Sequence, residues 1–178
     1  AAECLKAAVD KAGWQKRPSP APSSSGNIAK GRGVALTQRS NSYIAIVAEV
    51  EVNKTTGQVA VKRIICAHDC GLMVNPDGVK NQVEGNVIQG VSRAMYEEVT
   101  FDTNGGVTSL DWATYPILRF PDLPELEIVL INRPEMQPLG AGEGATIPPP
   151  AAIANAIFDA TGVRLREGPF IPKRVLAG

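Results

Sequence analysis

"YIAIVAEVEVNKTTGQVAVKRIICA", residues 43–67, decides how this chain folds. Ile44, Ile46, Ala48, Val50 and Val52 alternate, which puts them on one side of an extended strand. "NKTTGQ" (53–58) is rich in turn-forming residues, and "VAVKRIICA" (59–67) resumes an apolar, β-branched run. The stretch predicts a β-hairpin, and a hairpin with one apolar face needs something laid against it.

The rest of the chain supplies candidates. Val83, Val87, Val91, Ala94 and Met95 recur at helical spacing and predict a helix over 79–97. Residues 99–101 and 107–115 flank "DTNGG" and read as a second hairpin, and "ELEIVLIN" (125–132) reads as a further strand. Ile153, Ala154, Ile157 and Phe158 stripe a helix over 151–162, with Gly162 as its C-cap. A short helix over 1–12 carries Leu5, Ala8, Val9 and Ala12 on one face, with Gly13 as its cap. Residues 17–27, rich in Pro and Ser, read as a linker. The order implies an α+β fold: a mainly antiparallel sheet with helices packed on one face. It divides into an N-terminal helix (1–16), the linker, and a domain over 28–178.

Composition narrows the function. The 178 residues are 44% hydrophobic and 20% charged, and 18 basic residues balance 18 acidic ones. No basic stripe predicts a nucleic-acid partner, and no apolar run is long enough to cross a membrane. Three cysteines are too few for a disulfide framework or for an iron–sulfur cluster held by this chain alone. The chain begins AAEC rather than with Met, which raises the expectation of a fragment or a processed piece. Cytoplasm and periplasm both stay open as compartments.

Three constellations stand out. Gln82, Asn86 and Gln89 share a helix face that Gly85 interrupts. They form either a solvated amide face or a set of hydrogen-bonding groups for a polar ligand that needs the room beside Gly85. Cys66, His68 and Cys70 form C-x-H-x-C, either a buried strand end or part of a small zinc module, although a structural zinc site usually wants four ligands. "QPLGAGEGATIPPP" (137–150) sets a lone acid, Glu143, among Gly140, Gly142 and Gly144, with three prolines behind. Its G-x-G-x-G spacing departs from the dinucleotide fingerprint. Bare backbone around one carboxylate is expected where main chain approaches a ligand closely.

"DCGLMVNPDGVKNQVEGNVIQGVSRAMYEEV", "DWATYPILRFPDLPELEIVLI" and "GAGEGATIPPPAAIANAIFDATG", in that order, resemble three segments of the molybdenum hydroxylases, the xanthine oxidase and aldehyde oxidoreductase family. The likeness is strongest to large subunits of the isoquinoline 1-oxidoreductase type. It runs from about Gly31 to Leu165 and covers only the C-terminal part of such a subunit. The resemblance implies a molybdopterin-binding domain whose cofactor is molybdopterin with Mo, in bacteria often the cytosine dinucleotide form. The metal is then held by the pterin's sulfurs and by no protein side chain. It implies [2Fe-2S] clusters on a partner iron–sulfur chain, and the remainder of the molybdopterin subunit as a second partner. Glu143 matches the family's catalytic base for hydroxylating an N-heterocycle or aldehyde carbon with water-derived oxygen. Gln82 matches a pterin-binding glutamine, and Gly140, Ala141 and Gly142 match backbone along the cofactor. Asn86 and Gln89 read as helix-packing residues. The family's Ser and Lys before the acid are replaced here by P-L-G-A-G-E, so their contacts do not carry over. The alternative is a non-catalytic α+β binding module that keeps only the fold.

Overall fold

The computed structural model describes residues 1–21 and 26–178. Its elements are α1 (Ala2–Lys11), β1 (Ile28–Arg39), β2 (Ser42–Asn53), β3 (Val59–Asp69), α2 (Pro76–Met95), β4 (Glu125–Ile131), α3 (Pro148–Thr161) and α4 (Pro172–Ala177). The strands form one sheet in the order β1-β2-β3-β4. β1–β2 and β2–β3 pair antiparallel, and β4 joins parallel to β3 after the crossover through α2. The class is α+β, as the sequence implies. The linker reading falls partly on residues 22–25, which lie outside the described set.

The predicted hairpin is β2–β3. Ile44, Ile46, Ala48, Val50 and Val52 meet Val83, Val87 and Val91 of α2 and Ile153 and Ile157 of α3 in the larger core. The opposite face is covered too. Ala45, Val47, Ile65 and Ala67 pack against Cys4, Ala8 and Ala12 of α1. A helix on the second face is thus added to those expected on the first. The signal was the unbroken apolar run "YIAIVA", which suits a strand covered on both sides better than a half-exposed one. The buried stripe of α1 is Cys4, Ala8 and Ala12, and Leu5 faces outward. Small side chains let α1 come close enough for Cys4 Sγ to reach the Ala67 carbonyl at 3.2 Å.

β1 was not foreseen, because its glycines and charges hide a strand pattern. Those glycines have a geometric reason. A Cβ on Gly33 would sit 2.1 Å from the Ala152 oxygen, and one on Gly31 would sit 2.2 Å from the Ala156 oxygen. β1 and α3 touch backbone to backbone, and α3 answers with buried Ala152, Ala156 and Ala160 along the contact. α3 begins at Pro148, so the three prolines form its first turn, where a missing N–H costs nothing. α2 begins at Pro76 behind Asn75, whose side chain accepts from the Gly78 N–H at 3.0 Å.

The second hairpin is corrected. Only an isolated bridge joins Phe101 to Val107, and 107–115 forms no strand. The Asp111 carboxylate accepts from the Ala113 and Thr114 amides at 3.0 and 2.9 Å, and this side-chain turn competes with extension.

Two substitutions test this packing. Gly33→Ala forces α3 off the sheet and should cost about 1–3 kcal/mol or more. Gly85→Ala, in α2 with nothing within 4 Å of its added Cβ, should stabilise by about 0.8–1.0 kcal/mol. Urea unfolding midpoints read both, and equal midpoints for the two variants would refute the close contact.

Candidate functional site

The glycine loop lies between two anchors. Upstream, Leu139 donates its N–H to the Cys70 carbonyl at 2.9 Å, and Arg133 donates to the Gly71 carbonyl at 3.0 Å. Downstream, the buried Ala145 leads into α3, and Gly144 packs on Ile44. From the side, α2 holds the loop's carbonyls. Asn86 Nδ2 donates to the Ala141 oxygen at 3.2 Å, and Gln82 Nε2 to the Gly142 oxygen at 3.5 Å. The Glu143 carbonyl accepts from the Thr146 hydroxyl at 2.8 Å.

The carbonyls are therefore engaged while the amides are not. Among the described residues, no hydrogen bond uses the N–H of Gly140, Ala141, Gly142 or Glu143. Gly140 and Gly142 also lack the usual reasons for glycine. Neither has a positive φ. A Cβ on Gly140 would meet nothing within 4 Å, and one on Gly142 only the Gln82 amide nitrogen at 3.9 Å. Gly85, one helical turn beyond Gln82, is similarly unhindered. Bare backbone and free N–H groups together make a cradle that an oxygen- or nitrogen-rich ligand would fill.

Beside the loop is a cleft of about 670 Å³, lined by Glu143, Gly140, Gly142, Leu139, Arg39 and Ser42 among others. Arg39, the last residue of β1, forms an ion pair with Glu143 through Nη1 and Oε1. Among the described residues, Glu143 Oε2 has no partner. The sequence reading missed Arg39 and Ser42. No pattern marks them, because they are the two strand ends that flank a turn at 40–41, and the place of that turn depends on β1.

Under the cleft sits His68, fully buried. Its Nε2 is 3.0 Å from Ser42 Oγ, which also donates to the Asp69 carbonyl at 2.9 Å. With the hydroxyl proton so placed, the imidazole carries its proton on Nε2, and Nδ1 is left without a partner. Asp69 accepts from Arg133 Nε at 3.0 Å and from the Gly71 amide at 3.2 Å. Cys66, His68 and Cys70 do not converge as zinc ligands. No group of three His, Cys, Asp or Glu among the described residues is placed to hold a metal. Burial pushes the Cys66 and Cys70 thiols up, away from the thiolate form a metal requires.

Known proteins resemble this chain in sequence and in fold. The family described as "Molybdopterin cofactor-binding domain" matches residues 5–124. The chain is similar to a nicotinate dehydrogenase subunit of Pseudomonas putida, 44% identical over 99% of the chain and 16% of that protein. It is 32% identical to the beta subunit of isoquinoline 1-oxidoreductase from Brevundimonas diminuta, over 96% of the chain and 21% of that protein. Among solved structures, quinoline 2-oxidoreductase from Pseudomonas putida superposes with a TM-score of 0.72 at 29% identity, covering 76% of this chain and 18% of that one. Aldehyde oxidoreductase from Desulfovibrio gigas gives 0.68 at 32% identity, covering 76% and 15%. The chain thus spans about a sixth to a fifth of the length of these relatives.

His68 makes stability depend on pH. Burial lowers its pKa from 6.5 to about 4, against an opposing pull from Asp69. The unfolded chain takes up this proton near 6.5 and the folded chain only near 4. The contribution is therefore complete above 6.5 and falls away as the pH drops from 6.5 towards 4, by up to about 1.4 kcal/mol per pH unit. Urea midpoints at pH 7 and pH 5 should separate in the native chain and draw together in His68→Phe. An unchanged separation in the variant would rule out His68 as the cause.

Proposed function

The chain belongs to the molybdopterin cofactor-binding domain family, and from that premise we propose that it carries the pterin cradle and the general base of a molybdenum hydroxylase. The observation that carries this reading is the pairing of unused N–H groups at 140–143 with a free carboxylate oxygen on the same loop, beside a cleft that Gly140, Gly142 and Glu143 line. Gly140, Ala141 and Gly142 would offer main-chain amides to the pterin. Gln82 would hold the loop and present its second amide hydrogen outward. The cofactor, when bound, supplies the two-electron oxidation and the site at which water-derived oxygen is activated.

Glu143 then has one task. Its Oε2 accepts a proton from the oxygen nucleophile as that oxygen attacks an electron-poor carbon of an N-heterocycle or an aldehyde. Arg39 holds Oε1, which orients the carboxylate and leaves Oε2 for the proton.

The proposal extends to the assembly. The cofactor is the cytosine dinucleotide form, and the remainder of the molybdopterin subunit completes its cradle. The [2Fe-2S] clusters sit on a separate chain. The three cysteines here are supporting, since all are buried free thiols. The nicotinate and isoquinoline relatives are each named as one subunit of a larger enzyme, which supports a multi-chain assembly.

Glu143→Gln in the full-length subunit tests the base. Glutamine keeps the loop's shape but takes up no proton. Anaerobic single-turnover reduction at matched molybdenum content should slow by about 10²–10⁴-fold. A rate within about tenfold of the native one would leave Glu143 without this role and favour the non-catalytic module. Gln82→Ala should lower pterin and molybdenum content after dialysis, since it removes the side chain that holds the Gly142 carbonyl and a hydrogen bond worth about 0.5–1.5 kcal/mol. Full occupancy would remove Gln82 from the cradle.

A further inference from the structure

A second cavity, of about 330 Å³, opens where the end of α1, β1 and α3 meet. It shares no lining residue with the glycine-loop cleft. Arg32 and Arg39 lie seven positions apart on β1, which separates the two places by roughly 23 Å. Its walls are unusual in being made of guanidinium groups laid on rings. The Arg32 guanidinium lies 5.1 Å over Trp14, and that of Arg164 lies 3.8 Å over Phe158. Trp14 is fixed by its N–H to the Val9 carbonyl at 2.9 Å. Arg164 is fixed by Asn155 Oδ1 at 2.7 Å, and Asn155 is itself tied to the Val34 carbonyl at 3.0 Å.

The charge in this cavity does not cancel. Arg17 is matched by Asp159, with Nη1 to Oδ1 at 3.0 Å and Nη2 to Oδ2 at 2.5 Å. Asp159 also accepts the Arg32 main-chain N–H at 2.9 Å. Burial works to raise the Asp159 pKa. Arg17, the Arg32 amide and Ser19 outweigh it and hold the carboxyl below its ordinary value. That leaves Arg32 and Arg164. Among the described residues neither has a carboxylate partner, and residues 22–25 include no Asp or Glu. Arg32 has one long side-chain hydrogen bond, 3.4 Å to the Gly13 carbonyl. Two stacked, oriented cations face one cavity with most of their N–H groups unused.

We propose that this cavity binds a small dianionic oxyanion, a phosphate monoester or a dicarboxylate, between Arg32 and Arg164. A guanidinium stacked on a ring keeps its in-plane N–H fork free, and that fork matches two oxygens of a carboxylate or a phosphate. Two such forks match a double negative charge. The volume lies at the lower end of the range for small-molecule sites. Asp159 is neutralised by Arg17 and ties down the Arg32 amide, so it adds no net negative charge to the cavity. The site is separate from the proposed catalysis and stands or falls without it.

Trp14 provides the readout, since the chain has two tryptophans and Trp112→Phe leaves it alone. Inorganic phosphate, phenyl phosphate and succinate are titrated into that variant while emission is followed. A saturable change with a dissociation constant at or below about 1 mM for at least one probe is expected. Phenyl phosphate as the tightest points to a ring-bearing monoester, and succinate as the tightest points to a dicarboxylate. Arg164→Gln, an exposed substitution, should weaken binding about tenfold, and adding Arg32→Gln should abolish it. Arg39→Gln, at the other cleft, should leave it unchanged. No saturable change with any probe, or equal binding by the Arg164→Gln variant, overturns the proposal. Calorimetry on the same variants guards against a silent fluorophore.

Discussion

The contact between β1 and α3 sets everything downstream of it. With only hydrogens on Gly31 and Gly33, the helix backbone reaches the sheet backbone. The axis of α3 is then fixed by main chain, and little is left to side-chain repacking. Its first turn, Pro148 to Pro150, is equally stiff, and Pro149 lies against Gly90 of α2. The glycine loop enters that turn, so its position is inherited from the sheet. Arg39 arrives from the other end of β1. The meeting of Glu143 with Arg39 follows from one strand and one helix being locked together at their middles.

Much of the fold is legible in the sequence. The β2–β3 hairpin, α2, β4 and α3 each carry a clear period in their apolar residues. What was missed has a common cause. β1 gives up side-chain volume to let α3 approach, so the feature that makes it important erases the pattern that identifies a strand. The predicted α1 packs through Ala8, Val9 and Ala12 as its pattern implies, but with Cys4 in the place expected for Leu5. Leu5 is the larger apolar residue, yet the sheet accepts the small stripe of Cys4, Ala8 and Ala12. The segment 107–115 has strand-like composition, but Asp111 and Thr114 satisfy one another locally.

The site was legible in part. Glycines around an acid and amides along a helix were visible as sequence, and the structure brings Gln82 and Asn86 onto that loop. Asn86 turns out to tie the loop to α2 as well as packing the helix. Arg39 and Ser42 were invisible, since their contribution depends on where a tight turn falls in space. Glycines with positive φ or crowded Cβ positions explain themselves within the chain. Gly85, Gly140, Gly142 and Gly168 do not, and two of these four flank Ala141 on the loop that carries Glu143.

The connection between the sheet and α3 also has a history in time. The three strands β1, β2 and β3 are neighbours in sequence and pair with short loops. The bond from Asn155 to the Val34 carbonyl joins residues 121 apart. Closing a loop of that length comes late, because its entropy must be met before its contacts form. The strands and α2 can therefore find their places while the acid-bearing loop is still unplaced. Glu143 and Arg39 meet only when the chain has finished folding. A half-made protein emerging from synthesis would have its sheet and α2 but not yet the cleft that Glu143 lines.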